Sequence, residues 1–530
     1  MISKDECLNS PQVSLQSILS QAATVLPGKT AINYGGSQRV TFQELDELSN
    51  KFACALVALG VLKGDRVALF LWNSPHFVIA FFGVLKAGAV VTAVNPLYKE
   101  RELEEQLCDS GAQTIVVLDS LYPIVEKLGK ALLKNVIVTG VDTYSNAVNV
   151  KASLNVLSFW DLIIKERSCK QPIVSQFGVA GDLAVLQYTG GTTGSPKGVM
   201  LTHGNLLSNA RSFGSHLEGV SRDVFLSVLP FCHVYGMTAS MITPINLGAE
   251  MVLLPKFDAV KSLQAIEQYR VTVFCGSPTM YAMMLTSSGF EKHDLSSIRV
   301  CISGASPLPA QVQRGFLRAG VFLVEGYGLT EASPVTHCTP ISRSCGSVRI
   351  GSIGVPLIGT ETRIVDLETG RKALPTGEPG ELTVRGSQVM QGYWQRPEET
   401  AQVLKDGWLQ TGDIAYKDKD DHYYIIDRKK DLIKHKGYTI YPNELEKILQ
   451  EHPDVKHCTI IGKPDKLTGE NPKAYVVLKD CVKMTAQKGE ELLEFVNRQT
   501  ASYKAIRGLE FCQELPISSS GKILKYVIKS

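Results

Sequence analysis

The sequence predicts an α/β protein in which a large N-terminal domain of doubly wound sheets is followed by a small, mobile α+β domain. Three observations predict this fold class. The chain has 530 residues, more than a single hydrophobic core normally supports. Apolar strand-like runs alternate with helix-like segments over its first two thirds, as in sheets with helices on both faces. After about Gly351, short strands and Gly/Pro-rich turns predict a β-rich subdomain.

The predicted strands are short runs of aliphatic residues, the pattern of strands buried on both faces. They are Val67–Leu71, Thr114–Leu118, Val136–Thr139, Leu183–Tyr188, Val271–Cys275, Val300–Ser303 and Val321–Glu325. Among the helices, one is predicted to begin at a capping box formed by Thr41 and Glu44 and to end near Gly60.

The longest apolar run, Phe77–Val94, approaches the length of a membrane span. Lys86 interrupts it, and Ala87, Gly88 and Ala89 follow as a break. This pattern favours a buried helix, a turn and a buried strand over a transmembrane segment.

A charged stretch, Asp427–Gly437, separates the two composition regimes and predicts a hinge. We therefore divide the chain into an N-terminal domain over 1–428, with the β-rich subdomain at about 351–428, and a mobile domain over 429–530.

Composition narrows the function classes. A net charge of +3 with both signs dispersed gives no reason to expect nucleic acid. The twelve cysteines show no paired spacing, which predicts reduced thiols rather than a zinc site or disulfides. The first ten residues lack a secretory pattern and the last three are not Ser-Lys-Leu, so we expect a cytoplasmic protein. Peripheral membrane contact and a homodimer stay open.

Residues 188–205, YTGGTTGSPKGVMLTHGN, indicate a phosphate site. Glycines allow close backbone approach, while hydroxyls, amides and Lys197 can bind phosphate oxygens. The spacing is not that of a Walker A loop, because Ser195 and Pro196 separate Gly194 from the lysine.

Four further segments occur in order: PFCHVYG at 230–236, EGYGLTE at 325–331, WLQTGDIA at 408–415 and LPISSSGKILK at 515–525. Together with YTGGTTGSPKG and DRKKD, they resemble the signatures of the adenylate-forming superfamily, which includes acyl-CoA synthetases, luciferases and peptide-synthetase adenylation domains. The resemblance covers roughly residues 15–525. It implies that the protein converts a carboxylic acid and ATP into an acyl-adenylate and pyrophosphate, and then transfers the acyl group to coenzyme A.

The resemblance also assigns roles to individual residues. It places ATP or AMP at Thr189, Gly190, Gly191, Thr192, Thr193, Gly194, Lys197, Gly304, Tyr327, Gly328, Thr330, Asp413, Arg428 and Lys522. It gives Mg²⁺ to Glu331, whose hard carboxylate oxygens suit that ion. Lys522 is expected to bridge the substrate carboxylate and the α-phosphate as the catalytic cation, with Lys197 and His233 as further catalytic candidates.

After adenylation, the small domain is expected to rotate about Lys430. The segment Lys434, Lys436, Gly437 and Tyr438 resembles the coenzyme A side of the tunnel, although Thr439 stands where the family commonly has glutamine. The acyl pocket is expected around His233, Tyr235, Ser303, Gly304 and Gly326.

Two segments of the sequence favour different acids as the substrate. EGYGLTEASPVTHCTP resembles medium- and long-chain fatty acyl-CoA ligases, whereas DLIKHKGYTIYPNELE resembles 4-coumarate–CoA ligases. We favour a fatty acid over an aryl acid. A carrier-protein-loading enzyme and a luciferase-like oxidase are the remaining alternatives.

Overall fold

The computed structural model describes residues 13–36, 38–128, 132–140, 156–166, 181–189, 196–341, 348–465, 467–480, 482–516, 523 and 525–529. The chain divides into two compact units. Unit 1 comprises Met1–Gly191, Ser195–Glu361 and Val384–Leu409, and unit 2 comprises Thr192–Gly194, Thr362–Thr383 and Gln410–Ser530. The domain boundary at residue 428 and the hinge at Lys430 stay predictions.

The strands of the described residues are β1 Thr30–Tyr34, β2 Gln38–Thr41, β3 Arg66–Phe70, β4 Val90–Ala93, β5 Thr114–Leu118, β6 Asn135–Thr139, β7 Val156–Ser158, β8 Leu183–Thr189, β9 Lys197–Thr202, β10 Val224–Ser227, β11 Glu250–Leu253, β12 Val273–Gly276, β13 Val300–Ser303, β14 Leu323–Gly328, β15 Val335–Cys338, β16 Val355–Pro356, β17 Glu361–Val365, β18 Gly380–Arg385, β19 Gly392–Tyr393, β20 Leu404–Lys405, β21 Trp408–Lys417, β22 Tyr423–Arg428, β23 Ile433–His435, β24 Tyr438–Ile440, β25 Val455–Asp465, β26 Gly469–Leu478 and β27 Gly508–Phe511. Every predicted strand is present, with ends shifted by two or three residues at most.

The α-helices of the described residues are α1 Ser17–Val25, α2 Phe42–Ala58, α3 Pro75–Lys86, α4 Glu100–Ser110, α5 Tyr122–Glu126, α6 Phe159–Lys165, α7 His203–His216, α8 Val234–Met237, α9 Thr243–Leu247, α10 Ala259–Tyr269, α11 Pro278–Thr286, α12 Ala310–Arg318, α13 Pro397–Val403, α14 Pro442–Gln450, α15 Ala486–Asn497 and α16 Lys525–Lys529. A π-helical turn, Thr238–Ile242, joins α8 to α9.

Unit 1 is built on two sheets with largely parallel strands. One has the order β19-β9-β8-β4-β3-β5-β6-β7 and the other the order β16-β15-β14-β13-β12-β10-β11-β1-β2. Parallel pairing dominates the centre of each sheet, and antiparallel pairs such as β8–β9 and β14–β15 lie towards one end. The predicted α/β fold of doubly wound sheets is therefore confirmed.

Two local predictions in unit 1 are also confirmed. The Thr41 hydroxyl accepts a hydrogen bond from the Glu44 amide, and the Glu44 carboxylate accepts one from the Thr41 amide, which forms the capping box. The apolar run 77–94 forms α3, a turn and β4. Lys86 is tolerated there because its ammonium pairs with Asp46 at 2.7 Å.

In unit 2, an antiparallel hairpin of β21 and β22 precedes a compact α+β arrangement. Strands β25 and β26 pair over their full length, and β27 and β23 both pair with the opposite edge of β26, β27 in parallel and β23 antiparallel through His435 and Gly469. Helices α14 and α15 contribute Leu445, Leu449, Leu492 and Val496 to the apolar core of this arrangement.

One expectation is wrong. Cys54, on α2, is disulfide-bonded, so the thiols are not all reduced. Sequence spacing could not show this, because a disulfide requires only that two cysteines approach in space. Cys108, Cys232, Cys275, Cys301, Cys338, Cys458 and Cys512 are free thiols. Among the described helices, none combines the length and the apolar composition that crossing a bilayer requires.

Candidate active site

The predicted phosphate loop joins two paired strands of unit 1. Thr189 at the end of β8 and Lys197 at the start of β9 are register partners, so the chain between them is closed at its base. Gly190, Gly191, Thr192, Thr193 and Gly194 lie outside the described residues. The backbone of Gly198 is covered by Trp394, whose amide donates to the Gly198 carbonyl at 2.8 Å.

Charged side chains hold both flanks of this loop. Tyr188, the residue before Thr189, donates its phenol hydrogen to Asp109 at 2.5 Å, and burial together with this bond raises the pKa of Tyr188. Arg396 pairs with Asp109 at 3.4 Å and with Glu399 at 3.5 Å. Glu399 in turn pairs with Lys197, and the hydrogen bond from Lys197 lowers the pKa of Glu399.

Lys197 and Glu331 both contact Tyr393. The Lys197 ammonium is 5.2 Å from the centre of the Tyr393 ring, and the Tyr393 hydroxyl donates to Glu331 Oε1 at 2.8 Å. Burial and the neighbouring Glu331 carboxylate raise the pKa of Tyr393, so its phenol remains a donor at neutral pH. A cation and an acid suited to phosphate and metal binding therefore lie close together.

Backbone contacts fix the position of Glu331. Thr330 and Glu331 belong to a tight helical turn after β14, and the Glu331 carbonyl accepts a hydrogen bond from the Met390 amide at 2.8 Å. Gly328 is required just before the turn, because a Cβ at this position would lie 2.1 Å from the Pro334 carbonyl oxygen.

Glu331 suits Mg²⁺ by its chemistry. Tyr393 bonds to one carboxylate oxygen, Oε1, and both atoms of the carboxylate are hard oxygen donors. Mg²⁺ is commonly held by one or two protein carboxylates, with waters and substrate phosphates completing its shell. The residues present therefore fit a magnesium ion shared with a nucleotide.

The predicted acyl-pocket residues in unit 1 are partly brought together. Ser303 ends β13, Gly304 follows it, and a Cβ at position 304 would lie 2.9 Å from the Tyr235 ring. The Tyr235 hydroxyl donates to the Ile302 carbonyl at 3.1 Å. The lack of a side chain at Gly304 therefore makes room for the Tyr235 ring.

The remaining predicted residues of this region lie on the neighbouring strand β14 or beside Tyr235. Gly326 and Tyr327 lie on β14, next to β13, and the Tyr327 ring meets His337 edge-on at 5.9 Å. His233 is exposed and begins α8, where its Nδ1 accepts a hydrogen bond from the Tyr235 amide at 3.3 Å. That bond fixes the imidazole beside Tyr235.

In unit 2, Asp413 and Arg428 are register partners across β21 and β22. Arg428 Nε lies 2.7 Å from Asp413 Oδ1, and the Asp413 side chain is buried whereas Arg428 is partly exposed. The acid expected to bind ribose is thus oriented by the neighbouring guanidinium. Lys430, on the helical turn that follows, is exposed.

The segment predicted to meet coenzyme A is the exposed turn between β23 and β24. Lys436 and Gly437 adopt positive φ values of 50° and 84° there. Lys434 donates to the Thr439 hydroxyl at 2.7 Å, so the threonine that replaces the common glutamine orients this lysine. Tyr438 is 55% exposed and stacks on Tyr503 with 4.6 Å between ring centres. Lys522 lies outside the described residues.

Sequence reasoning missed Asp109, Tyr393, Arg396, Glu399 and Tyr503. Each is far along the chain from the motif residue that it contacts. The local sequence that could have indicated three of them is GYWQRPEET at 392–400, which is rich in aromatic and charged residues but contains no recognised phosphate-binding motif.

The family follows from comparison with known proteins. The model of the AMP-binding enzyme family matches residues 19–394, and the model of its C-terminal domain matches residues 444–522. The chain therefore belongs to the AMP-binding enzyme family. The predicted enzyme class, an AMP-forming acid–thiol ligase, is confirmed at this level.

Three similar proteins refine this placement. A long-chain-fatty-acid–CoA ligase of Bacillus subtilis is 42% identical, with 97% of this chain and 94% of that protein covered. 4-Coumarate–CoA ligase 5 of Oryza sativa is 36% identical, with 92% and 88% covered. The crystal structure of an anthranilate CoA ligase in complex with anthranoyl-AMP superimposes with a TM-score of 0.84 at 30% identity, with 97% of this chain and 96% of that chain covered.

Proposed function

We propose that this protein is an ATP-dependent fatty acid–CoA ligase that acts on medium- or long-chain acids. The observation that carries the proposal is that Lys197 and Glu331 both contact Tyr393, and that Lys197 begins the strand after the glycine–threonine loop. This arrangement supplies a cation and a metal-binding acid for a triphosphate. The fatty-acid assignment rests on the Bacillus subtilis relative.

The first half-reaction forms an acyl-adenylate. The substrate carboxylate attacks the α-phosphorus of ATP, the bond to the β-phosphate oxygen breaks, and pyrophosphate leaves. Charge develops on the phosphate oxygens, so catalysis depends on placed cations and donors more than on covalent protein chemistry. Thr189, Lys197 and the loop between them bind the leaving phosphates, and Thr330 bonds the α-phosphate.

Further residues complete the nucleotide site. Glu331 holds Mg²⁺, which would neutralise charge on the phosphates when bound. Tyr327 and Gly304 lie beside the adenine, Asp413 and Arg428 bind the ribose, and Lys522 bridges the carboxylate and the α-phosphate.

The second half-reaction forms the thioester. The small domain rotates about Lys430, and the coenzyme A thiolate attacks the acyl carbonyl while AMP leaves. Lys434, Lys436, Gly437 and Tyr438 contact coenzyme A, and the exposed ring of Tyr438, backed by Tyr503, offers a stacking surface. Two lysines on an exposed turn can meet its phosphates.

A pyrophosphate-release screen tests the substrate class. Purified protein would be assayed with saturated acids of two to eighteen carbons, with 4-coumarate and with benzoate. The expected kcat/KM rises with chain length from about eight carbons, because each buried methylene contributes roughly 0.8 kcal/mol of transfer free energy. A maximum at 4-coumarate would instead establish the aryl-acid alternative, which the rice relative favours.

Free coenzyme A and a phosphopantetheinyl carrier protein should be compared as acceptors in the same assay. Faster transfer to the carrier would contradict the coenzyme A assignment. Oxygen uptake with a luciferin would indicate the oxidase alternative.

A further inference from the structure

A chain of alternating charges connects the residues on the two sides of the phosphate loop. Lys197, which follows the loop, contacts Glu399 Oε2, and Glu399 Oε1 lies 3.5 Å from Arg396 Nη1. Arg396 Nη2 lies 3.4 Å from Asp109 Oδ1. Asp109 Oδ2 accepts a hydrogen bond from the hydroxyl of Tyr188, which precedes the loop. Each carboxylate therefore directs one oxygen towards Arg396 and the other towards a residue beside the loop.

Contacts that do not involve Lys197 fix Arg396 in the middle of this chain. Arg396 occupies the capping position of α13, and Glu399 lies three residues further on in the first turn of that helix. The Arg396 carbonyl accepts hydrogen bonds from the Thr400 amide at 3.0 Å and from the Thr400 hydroxyl at 2.8 Å. The Trp394 indole donates to the Asp109 carbonyl at 3.1 Å, which ties the end of α4 to the same segment. Arg396 is therefore held between the two carboxylates.

The arrangement gives Glu399 two counter-ions. The hydrogen bond from Lys197 and the charge of Arg396 both lower the pKa of Glu399, so both cations favour its ionised form. The Glu399 side chain is 32% exposed, and a partly buried carboxylate that loses its counter-ion is destabilised. If Lys197 turned to a phosphate, Arg396 would still neutralise Glu399 through its other oxygen. Without Arg396, Glu399 would depend on Lys197 alone and would hold it more strongly.

We propose that Arg396 is a positioning residue that acts as the second counter-ion of Glu399 and thereby makes Lys197 available to the phosphates of ATP. This inference rests on the proposed function, which assigns Lys197 to the leaving phosphates. Arginine suits the role, because its planar fork reaches two carboxylates at once and its charge does not titrate. Arg396 acts on ATP through Glu399, so its effect should disappear when Glu399 carries no charge.

A double-mutant cycle tests this dependence. The Kd for MgATP would be measured by calorimetry without acid, and kcat by pyrophosphate release with a fatty acid, in Arg396→Gln, in Glu399→Gln and in the double variant. Arg396→Gln should raise the Kd about five-fold and change kcat less than about two-fold, because saturating ATP still recruits Lys197. Added to Glu399→Gln, the same substitution should change the Kd by less than about 1.5-fold.

Arg101→Gln is the matched control, because it removes the same charge from an exposed pair with Glu105 on α4. It should leave the Kd for MgATP within about 1.5-fold of wild type. If Arg396→Gln does not fold, Arg396→Lys takes its place. That variant keeps a cation without the fork, and it should raise the Kd about two-fold only while Glu399 is intact.

Two results would overturn the role of Arg396. An equal rise of the Kd with and without the Glu399 charge would mean that Arg396 acts on ATP directly, and an unchanged Kd in Arg396→Gln would mean that Glu399 does not need it. The proposed function fails separately. Wild-type protein that binds MgATP but releases no pyrophosphate with fatty acids would overturn the ligase assignment, while the Kd values, measured without acid, would still decide the role of Arg396.

Discussion

At the scale of single residues, the central feature is the competition for Lys197. Its ammonium pairs with Glu399 and lies beside Tyr393, so under the proposed function phosphates would compete with this carboxylate for the lysine. The pair is partly exposed, and such pairs contribute about 1 kcal/mol or less to stability. Under the proposed function, exchange of Glu399 for phosphate at Lys197 would therefore cost little free energy.

Lys197→Ala should lower the adenylation rate about ten-fold or more, because a cation on the leaving phosphates is lost. Glu399→Gln should lower the KM for ATP several-fold, since it removes the competing carboxylate. Steady-state pyrophosphate release measures both. Glu398→Gln, a neighbouring acid in the first turn of α13, is the control and should leave the KM unchanged. A higher KM in Glu399→Gln would show that this acid orients the lysine for phosphate.

Glu331 and Tyr393 make a second residue-scale prediction. Glu331→Gln should raise the Mg²⁺ concentration for half-maximal adenylation and slow the rate at least ten-fold, because a carboxylate ligand is removed. Tyr393→Phe should shift the Mg²⁺ titration only two- to three-fold, since it loses one orienting hydrogen bond. The test is the adenylation rate of each variant measured across MgCl₂ concentrations. The same Mg²⁺ dependence in Glu331→Gln and in wild type would exclude Glu331 as a metal ligand.

At the scale of elements, three buried histidines on helices and strands of unit 1 are expected to make the stability of the fold depend on pH. Burial lowers the pKa of His76 on α3 and of His203 on α7 to about 4, and that of His337 on β15 to about 3. His76 accepts a hydrogen bond from the Trp160 indole at 3.2 Å, and His203 accepts one from the Leu15 amide at 3.2 Å. Both bonds require a neutral acceptor nitrogen.

Stability should therefore fall as pH drops from about 6.5 towards 4. The unfolded chain binds protons at these histidines near pH 6.5, whereas the folded chain does not, so each contributes stability that is present above pH 6.5 and is lost below it. A shift of His76 from 6.5 to about 4 corresponds to roughly 3 kcal/mol. Urea unfolding monitored across this range tests the prediction, and His76→Phe should make the slope shallower. A pH-independent free energy of unfolding would contradict it.

Element by element, sequence reasoning succeeded where local patterns decide the structure. Thr114–Leu118 and Val300–Ser303 were predicted to the residue, because a short aliphatic run buried on both faces can be little else. Contacts between distant segments could not be predicted. Nothing near Lys197 indicates that Glu399, on α13, is its partner, and nothing near Tyr441 indicates that Asp427 caps α14.

At the scale of the whole molecule, the proposed function requires one chain to catalyse two successive half-reactions, adenylate formation and thioester formation. Unit 2 contains both sides of Lys430, with β21 and β22 before it and α14 after it. The proposed rotation about Lys430 would break contacts such as the hydrogen bond from the Asn443 amide to the Asp427 carboxylate, and the two arrangements would need similar free energies for turnover to proceed.

Lys430→Pro tests the rotation. Proline fixes φ and removes a backbone donor, so it restricts the dihedral change that a hinge requires. Adenylate formation should stay within about two-fold of wild type, while thioester formation from acyl-AMP should fall at least fifty-fold. Lys430→Ala is the control, and it should support both reactions. Lys429→Pro is unsuitable as a control, because Lys429 pairs with Glu381 at 2.6 Å. Unimpaired thioester formation in Lys430→Pro would argue against a hinge here.

The central claim is that an AMP-forming ligase uses Lys522 in its first half-reaction alone. The most direct measurement is the rate of each half-reaction in Lys522→Ala with a long-chain fatty acid. The account predicts that pyrophosphate release falls by at least a hundred-fold, while acyl transfer from supplied acyl-AMP to coenzyme A proceeds within about three-fold of wild type. Pyrophosphate release at the wild-type rate, or an equal loss of both half-reactions, would contradict this account.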